Sequence, residues 1–131
     1  MKEQEIKVLM VEPGKTPTVT TLKNDLRALQ EAVSIGADDV GYIEIIGIDA
    51  DTCILCNEEG KLIGLLPNRR FYQDILCGVF YVVGEDGEGN LTSLSQEMME
   101  RYTEFFWEHE KIDPAEIDKT VFVNFYPIER G

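Results

Sequence analysis

The sequence is short of positive charge. It has 12 lysine and arginine residues against 25 aspartate and glutamate residues, which gives a formal net charge of −13. A protein that binds nucleic acid by neutralising phosphates needs a basic face, and anionic membrane surfaces also attract basic segments. The composition therefore argues against direct nucleic-acid binding and against membrane association. A basic partner protein is compatible with the charge, although high negative charge more often serves solubility alone.

Long hydrophobic runs are missing as well. The longest apolar stretch, Ile75 to Gly84, has ten residues, whereas a helix that crosses a bilayer needs about 20. The N-terminus does not resemble a signal peptide, because Met1 to Glu5 is charged and the apolar run after it stops at Val11. We therefore expect a soluble protein without a membrane span.

Cysteine is scarce, with Cys53, Cys56 and Cys77 only. An odd count argues against a disulfide framework and favours a reducing, cytoplasmic compartment. Cys53 and Cys56 have the spacing of a zinc or redox motif, but Ile54 and Leu55 between them favour a strand, in which positions three apart face opposite sides. No second ligand pair accompanies them. We expect buried thiols, no metal and no other cofactor.

No catalytic motif emerges from the remaining residues. The only histidine, His109, has no thiol near it, and no serine lies in a Gly-x-Ser-x-Gly elbow. The glycines of Gly84 to Asn90 resemble a phosphate loop, but the carboxylates among them would repel phosphate. Leu91 occupies the position where a calcium loop would require glycine. We predict a solvated turn there and no catalytic residues, so a binding protein is favoured over an enzyme.

The pattern of apolar residues predicts a single α+β domain over residues 1–131, with a largely antiparallel sheet of about seven strands and two main helices. The predicted strands are Ile6–Val11, Thr16–Leu22, Val40–Asp49, Thr52–Asn57, Lys61–Leu66, Ile75–Val83 and, completing the fold, Thr120–Tyr126. Val40–Asp49 is apolar on both faces apart from Glu44, which suggests an interior strand, and Ile75–Val83 is expected at the centre.

The first helix is predicted from an Asn24 N-cap to Gly36, and the second from Ser93, which could form a capping box, or from Ser95. Asp113–Glu116 has the residues of a short helical turn. Both helices are expected on one sheet. The residues expected to be largely buried are Leu29, Ile45, Val79, Tyr81, Tyr102 and Phe106.

The segment Pro67–Tyr72 holds the only adjacent arginine pair of an acidic chain, followed by two aromatic residues. A guanidinium group presents a planar fork of donors that suits carboxylate or phosphate, and aromatic rings can stack on a base. Asn68, Arg69 and Arg70 are therefore candidate ligand-binding residues. The alternative is that both arginines pair with neighbouring acids and brace the loop.

Four glutamates mark the outer face of the second predicted helix. Glu100, Glu104 and Glu108 are spaced four residues apart, and Glu97 lies beside them. Like charges at this spacing cost a helix about 0.2–0.5 kcal/mol per pair, and only Arg101 offers relief, through Glu97. Successive carboxylates stand about 6 Å apart, which is comparable in order to phosphate spacing along one nucleic-acid strand. The face is a candidate docking surface for a basic partner; the alternative is a solvated face.

Several segments, taken in order and spacing, resemble one known family. They are Lys7-Val8-Leu9, Val11-Glu12-Pro13-Gly14-Lys15, Gly41-Tyr42-Ile43-Glu44, Cys56-Asn57-Glu58-Glu59-Gly60-Lys61-Leu62, Pro67-Asn68-Arg69-Arg70 and Val83-Gly84-Glu85-Asp86. From about Ile6 to Phe106 the chain is similar to the domain-of-unknown-function 3846 family, which phages, plasmids and other bacterial mobile elements carry.

The resemblance implies a bacterial or phage cytoplasm but no activity, since the family has none assigned. Small acidic proteins of mobile elements often act on host proteins, and acidic antirestriction proteins do so by resembling DNA. We therefore expect a non-enzymatic binding protein that acts on a basic host protein. The alternative is a small-ligand or nucleotide-binding domain that uses Asn68, Arg69 and Arg70.

Overall fold

The computed structural model describes residues 3–109 and 111–117. Its elements in chain order are β1 (Glu5–Val11), β2 (Thr18–Lys23), α1 (Leu26–Ala32), β3 (Ile43–Asp49), β4 (Thr52–Asn57), β5 (Pro67–Phe71), β6 (Asp74–Cys77), β7 (Phe80–Glu85), β8 (Leu91–Thr92) and α2 (Gln96–Phe105). A short helical turn at 114–117 follows where one is predicted. The predicted strand Thr120–Tyr126 lies outside the described residues.

The strands form one large sheet and one small one. Five strands of the large sheet follow the order β2-β1-β7-β4-β3, and β8 pairs with β7 as the sixth. Every pairing between the described strands is antiparallel, and β5 and β6 form the separate two-stranded sheet. The predicted single α+β domain with a largely antiparallel sheet is confirmed.

Hydrophobic clusters cover both faces of the large sheet. Neighbouring side chains on a strand point to opposite faces, so β1 sends Val8 to one cluster and Leu9 to the other. Helix α1 closes the first cluster with Leu29, and α2 closes the second with Tyr102. Both helices therefore pack on one sheet, one on each face. The predicted core residues that are buried are Leu29, Val79, Tyr81, Tyr102 and Phe106.

The prediction of a buried Ile45 is wrong, because β3 is not an interior strand. Ile45 is 58% exposed, and β3 occupies the edge of the sheet, where it pairs with β4 alone among the described strands. The interior position belongs to β4, in which all six residues are buried. An apolar pattern on both faces does not reveal which strand of a hairpin lies outermost, since that depends on the next strand to pair.

A glycine divides the segment Ile75–Val83, which the sequence predicts as one strand. Gly78 has a φ of +81°, a left-handed conformation that interrupts a strand. Residues before it form β6 and pair with β5, whereas residues after it form β7 at the centre of the large sheet. A Cβ added at Gly78 would lie 2.6 Å from Cδ1 of Leu65, so both the conformation and the available space require glycine.

The predicted strand at Lys61–Leu66 is also wrong. This segment forms turns, in which the N–H of Ile63 donates to the carbonyl of Glu59 at 3.0 Å and Gly64 takes a φ of +76°. The strand comes one segment later, as β5. Helical-type hydrogen bonds satisfy the backbone locally here, and a mostly apolar composition alone does not exclude them.

The helix caps differ from the prediction by one residue in α1. Asp25 is the N-cap, and its Oδ1 accepts from the N–H of Ala28 at 2.8 Å. Asn24 is buried instead, where its amide donates to two backbone carbonyls. Of the two serines considered for α2, Ser95 is the N-cap.

No helix of the described segments is long and apolar enough to cross a membrane.

Candidate functional site

Asn68, Arg69 and Arg70 lie on β5 rather than in a loop. Asn68 is 1% exposed, and its Nδ2 donates to the carbonyls of Val11 and Gly78 at 2.8 Å each. It therefore joins the end of β1 to the left-handed glycine between β6 and β7. Both protons of the amide are used inside the protein, so Asn68 has a structural role in this conformation.

The Arg69 guanidinium is buried too, with the residue 3% exposed. Its Nε donates to the carbonyl of Phe106 at 3.0 Å, and its Nη2 donates to the carbonyl of Lys15 at 2.5 Å. Its Nη1 donates to Oδ1 of Asn68 at 2.7 Å and to the carbonyl of Glu12 at 3.4 Å. Burial lowers the pKa of Arg69 from its usual value. The side chain fastens β5 to the β1–β2 turn and to the end of α2.

Arg70 points the other way, as alternation along a strand requires. Its Nη2 lies 2.6 Å from Oε2 of Glu116, and both side chains are half-exposed. The two arginines therefore do not act as a pair. The geometry favours the bracing alternative, with backbone carbonyls in place of the expected carboxylates around Arg69. Ligand binding by Asn68, Arg69 and Arg70 stays a prediction.

Three of the four predicted docking glutamates lie close together, on α2 and just beyond its C-terminal end. Helix α2 ends at Phe105, so Glu108 lies beyond the helix, and the regular four-residue spacing holds only for Glu100 and Glu104. All three nevertheless line one open groove. No salt bridge to any of them is present in the described part of the chain.

This groove, called the acidic groove below, has a volume of about 620 Å³. Its main lining residues are Val19, Met99, Glu100, Glu104, Trp107 and Glu108. Val19 of β2 stands opposite Leu9 of β1 in the sheet register, so both face α2. Val19 is 50% exposed and Trp107 is 52% exposed. The groove between α2 and the edge strand β2 thus combines carboxylates with open apolar surface.

Glu97 belongs to another part of the surface. Its Oε2 lies 3.8 Å from Nη2 of Arg101, whose Nη1 lies 2.7 Å from Oδ2 of Asp49 on β3. Arg101 therefore neutralises acids on the side of α2 that faces β3. The predicted set of four glutamates separates into a partnered one and three that share the acidic groove.

Sequence reasoning missed a second cavity, of about 560 Å³, called the β3–β6 cavity below. It lies between the β3–β4 edge and β6, and its main lining residues are Glu44, Ile46, Cys56, Lys61, Asp74 and Leu76. The ammonium of Lys61 forms a salt bridge with the carboxylate of Asp74. Glu44 and Cys56 are a cross-strand pair. The other lining residues come together only because β6 packs against the sheet, and no local sequence motif predicts that packing.

The thiols behave as the sequence predicts, since all three are buried. Cys53 packs in the α1-side cluster and Cys56 in the α2-side cluster, on opposite faces of the sheet. Burial, followed by the charge of Glu44, raises the pKa of Cys56 to about 12. Burial, followed by the charge of Glu85, raises the pKa of Cys53 to about 11. Both thiols are protonated at neutral pH and are therefore poor nucleophiles.

A metal-binding group of three or more His, Cys, Asp or Glu side chains is not found within 3–109 and 111–117. Comparisons with curated proteins and with solved structures gave no significant match. A family model matches residues 6–106. This range begins at the second residue of β1 and ends at the residue after α2. The chain therefore belongs to the family described as Domain of unknown function (DUF3846).

Proposed function

We propose that this protein is a non-enzymatic binding protein whose acidic groove captures a basic segment of another protein. The observation that carries the proposal is the lining of the groove. Glu100, Glu104 and Glu108 share it with an exposed indole ring, and none of the three is in a salt bridge within the described residues. The carboxylates alone are compatible with a solvated face, but the exposed apolar surface among them adds a contact for a partner's side chains.

Arginine and lysine side chains fit such a lining in two ways. Their charged ends can reach the carboxylates, and their methylene stems can cover the exposed side chain of Val19. A guanidinium over the face of Trp107 would add a cation–π contact, worth about 0.5–1 kcal/mol at an exposed site. Arginine therefore suits the groove better than lysine, because its planar group can both stack and form paired hydrogen bonds.

The partner class that we propose is a basic, nucleic-acid-binding face of a host protein in the cytoplasm. The resemblance to proteins of phages and plasmids supports a host target. Glu100 and Glu104 lie one helical turn apart, about 6 Å along the axis, which is of the same order as the roughly 3.4 Å axial spacing of phosphates along one strand. A surface built to contact phosphates would thus meet a row of negative charges.

The test is fluorescence anisotropy with a labelled arginine-rich peptide, at low and at high salt. Changing Glu100→Lys and Glu104→Lys together should weaken binding at low salt by about tenfold or more, because close charges across an interface couple strongly. The matched control is Glu5→Lys with Glu88→Lys, the same change of net charge at two exposed sites outside the groove. Equal weakening by both variants would show that net charge, and not the groove, attracts the peptide.

Trp107→Ala separates the groove from charge more sharply, because it leaves every carboxylate in place. We expect peptide affinity to fall about two- to fivefold from the lost cation–π contact. The melting temperature should change little, since half of the indole is already in water. An unchanged affinity for the peptide would show that Trp107 does not contact it, and it would contradict the proposal that the acidic groove is the binding surface.

A further inference from the structure

The β3–β6 cavity has the general build of a small-molecule site. Ile46, Ile75 and Leu76 contribute apolar surface, and the turn at 58–62 closes one end. Its volume of about 560 Å³ falls within the roughly 300–1,000 Å³ of ligand pockets, which are mostly apolar with a few polar groups. The cavity is separate from the acidic groove, since the two share no lining residue.

The charges around the cavity select the sign of a ligand. Four carboxylates against one ammonium leave a formal charge of −3; they are Glu44, Glu58, Glu59 and Asp74 against Lys61. Lys61 already forms a salt bridge with Asp74, so it offers little to an anion. The other three carboxylates form no salt bridge with a described residue. An organic cation is therefore attracted and an organic anion repelled.

Glu44 is the carboxylate best placed to hold such a cation. It stands two residues before Ile46 on β3, so both side chains are on the same face of the sheet. It is also directly opposite Cys56 in the register, and the Sγ of Cys56 lies 3.8 Å from its Oε1. The thiol adds no negative charge of its own at neutral pH, because its pKa is about 12. One carboxylate thus sits at the border of an apolar wall.

We propose that the β3–β6 cavity binds a small organic cation, a primary ammonium or guanidinium group on an apolar body. The charged group pairs with the carboxylate of Glu44, and the apolar body covers Ile46 and Leu76. The exposed glutamates of the 58–62 turn, Glu58 and Glu59, add attraction from the rim. This binding is independent of the capture of a basic segment by the acidic groove.

Isothermal titration calorimetry with phenethylamine tests the proposal, with phenethyl alcohol and hydrocinnamate as neutral and anionic probes of similar body. We expect saturable one-to-one binding of the amine, and binding of the alcohol and of the acid at least about tenfold weaker, as the loss of a charged hydrogen bond requires. Glu44→Gln should weaken the amine by a similar factor. Glu44 is exposed, so this variant should keep the parent circular dichroism and melting temperature.

Glu100→Gln in the acidic groove is the matched control and should leave the affinity for phenethylamine unchanged. Any of these results would overturn the proposal: no saturable binding of the amine, equal affinity for hydrocinnamate, or a folded Glu44→Gln variant that binds like the parent. Loss of binding in Glu100→Gln alone would also overturn it, because the amine would then occupy the acidic groove. That last result would leave the proposed capture of basic segments standing.

Discussion

Replacing Arg69 with alanine decides between a structural and a ligand-binding arginine. The buried guanidinium donates to the carbonyls of Phe106, Lys15 and Glu12 and to the amide oxygen of Asn68. Hydrogen bonds from a charged donor contribute about 1.5–3 kcal/mol each, but burying the charge costs several kcal/mol. The net effect is therefore well below the sum, and we expect Arg69→Ala to lower the free energy of unfolding by about 3 kcal/mol.

Urea denaturation gives this difference directly, and calorimetry should show a melting temperature lower by roughly 10 °C for a domain of this size. The control is Arg70→Ala, because the neighbouring arginine has a half-exposed salt bridge with Glu116, and such pairs contribute about 0–1 kcal/mol. If Arg69→Ala cost less than about 0.5 kcal/mol, as ordinary surface substitutions do, the bracing argument would fail. Ligand binding would then be the better account of Arg69.

Two further predictions concern the centre of the sheet. Gly78→Ala should lower the free energy of unfolding, measured by urea denaturation, by about 2 kcal/mol, because of the left-handed φ and the close approach to Leu65. Gly14→Ala, with φ +73° and open space around it, should lower it less. Equal losses in the two variants would exclude a packing effect at Gly78. Folding raises the pKa of Cys56 from 9.0 to about 12. The contribution of its protonated thiol to the free energy of unfolding is therefore intact below pH 9. This contribution falls as pH rises toward 12, at up to about 1.4 kcal/mol per pH unit. Cys56→Ala should show a shallower fall, and an unchanged pH profile would contradict this assignment.

The strands that the sequence predicts well are those whose pattern and pairing are both local. β1 alternates between two clusters, and β1 and β2 pair across the turn at Gly14. The errors arise where partners are distant in the chain. The break at Gly78 appears only once β6 is known to leave the large sheet for β5. Ile45 is exposed on the edge strand β3, beyond which no described strand pairs. Neither the strand break at Gly78 nor the exposure of Ile45 can be predicted from the residues of its own segment.

The candidate sites divide in the same way. Spacing along α2 is local information, so Glu100 and Glu104 could be assigned to one surface from the sequence. Val19 could not, because its place in the acidic groove follows from its register against Leu9 and from the packing of α2 on that face.

The arginine pair carries a more general lesson about reading adjacent residues. Two neighbours can act together on one ligand in a loop, but on a regular strand their side chains point to opposite sides. Arg69 and Arg70 lie in the regular part of β5, past the irregularity in register between Pro67 and Arg69. Pro67 to Phe71 forms strand β5, so Arg69 is directed inward to the backbone carbonyls and Arg70 outward to Glu116. In a loop, the two arginines could have formed one ligand-binding site. Assigning it to a strand would have predicted one buried guanidinium and one exposed, which is the arrangement that the Arg69→Ala and Arg70→Ala comparison measures.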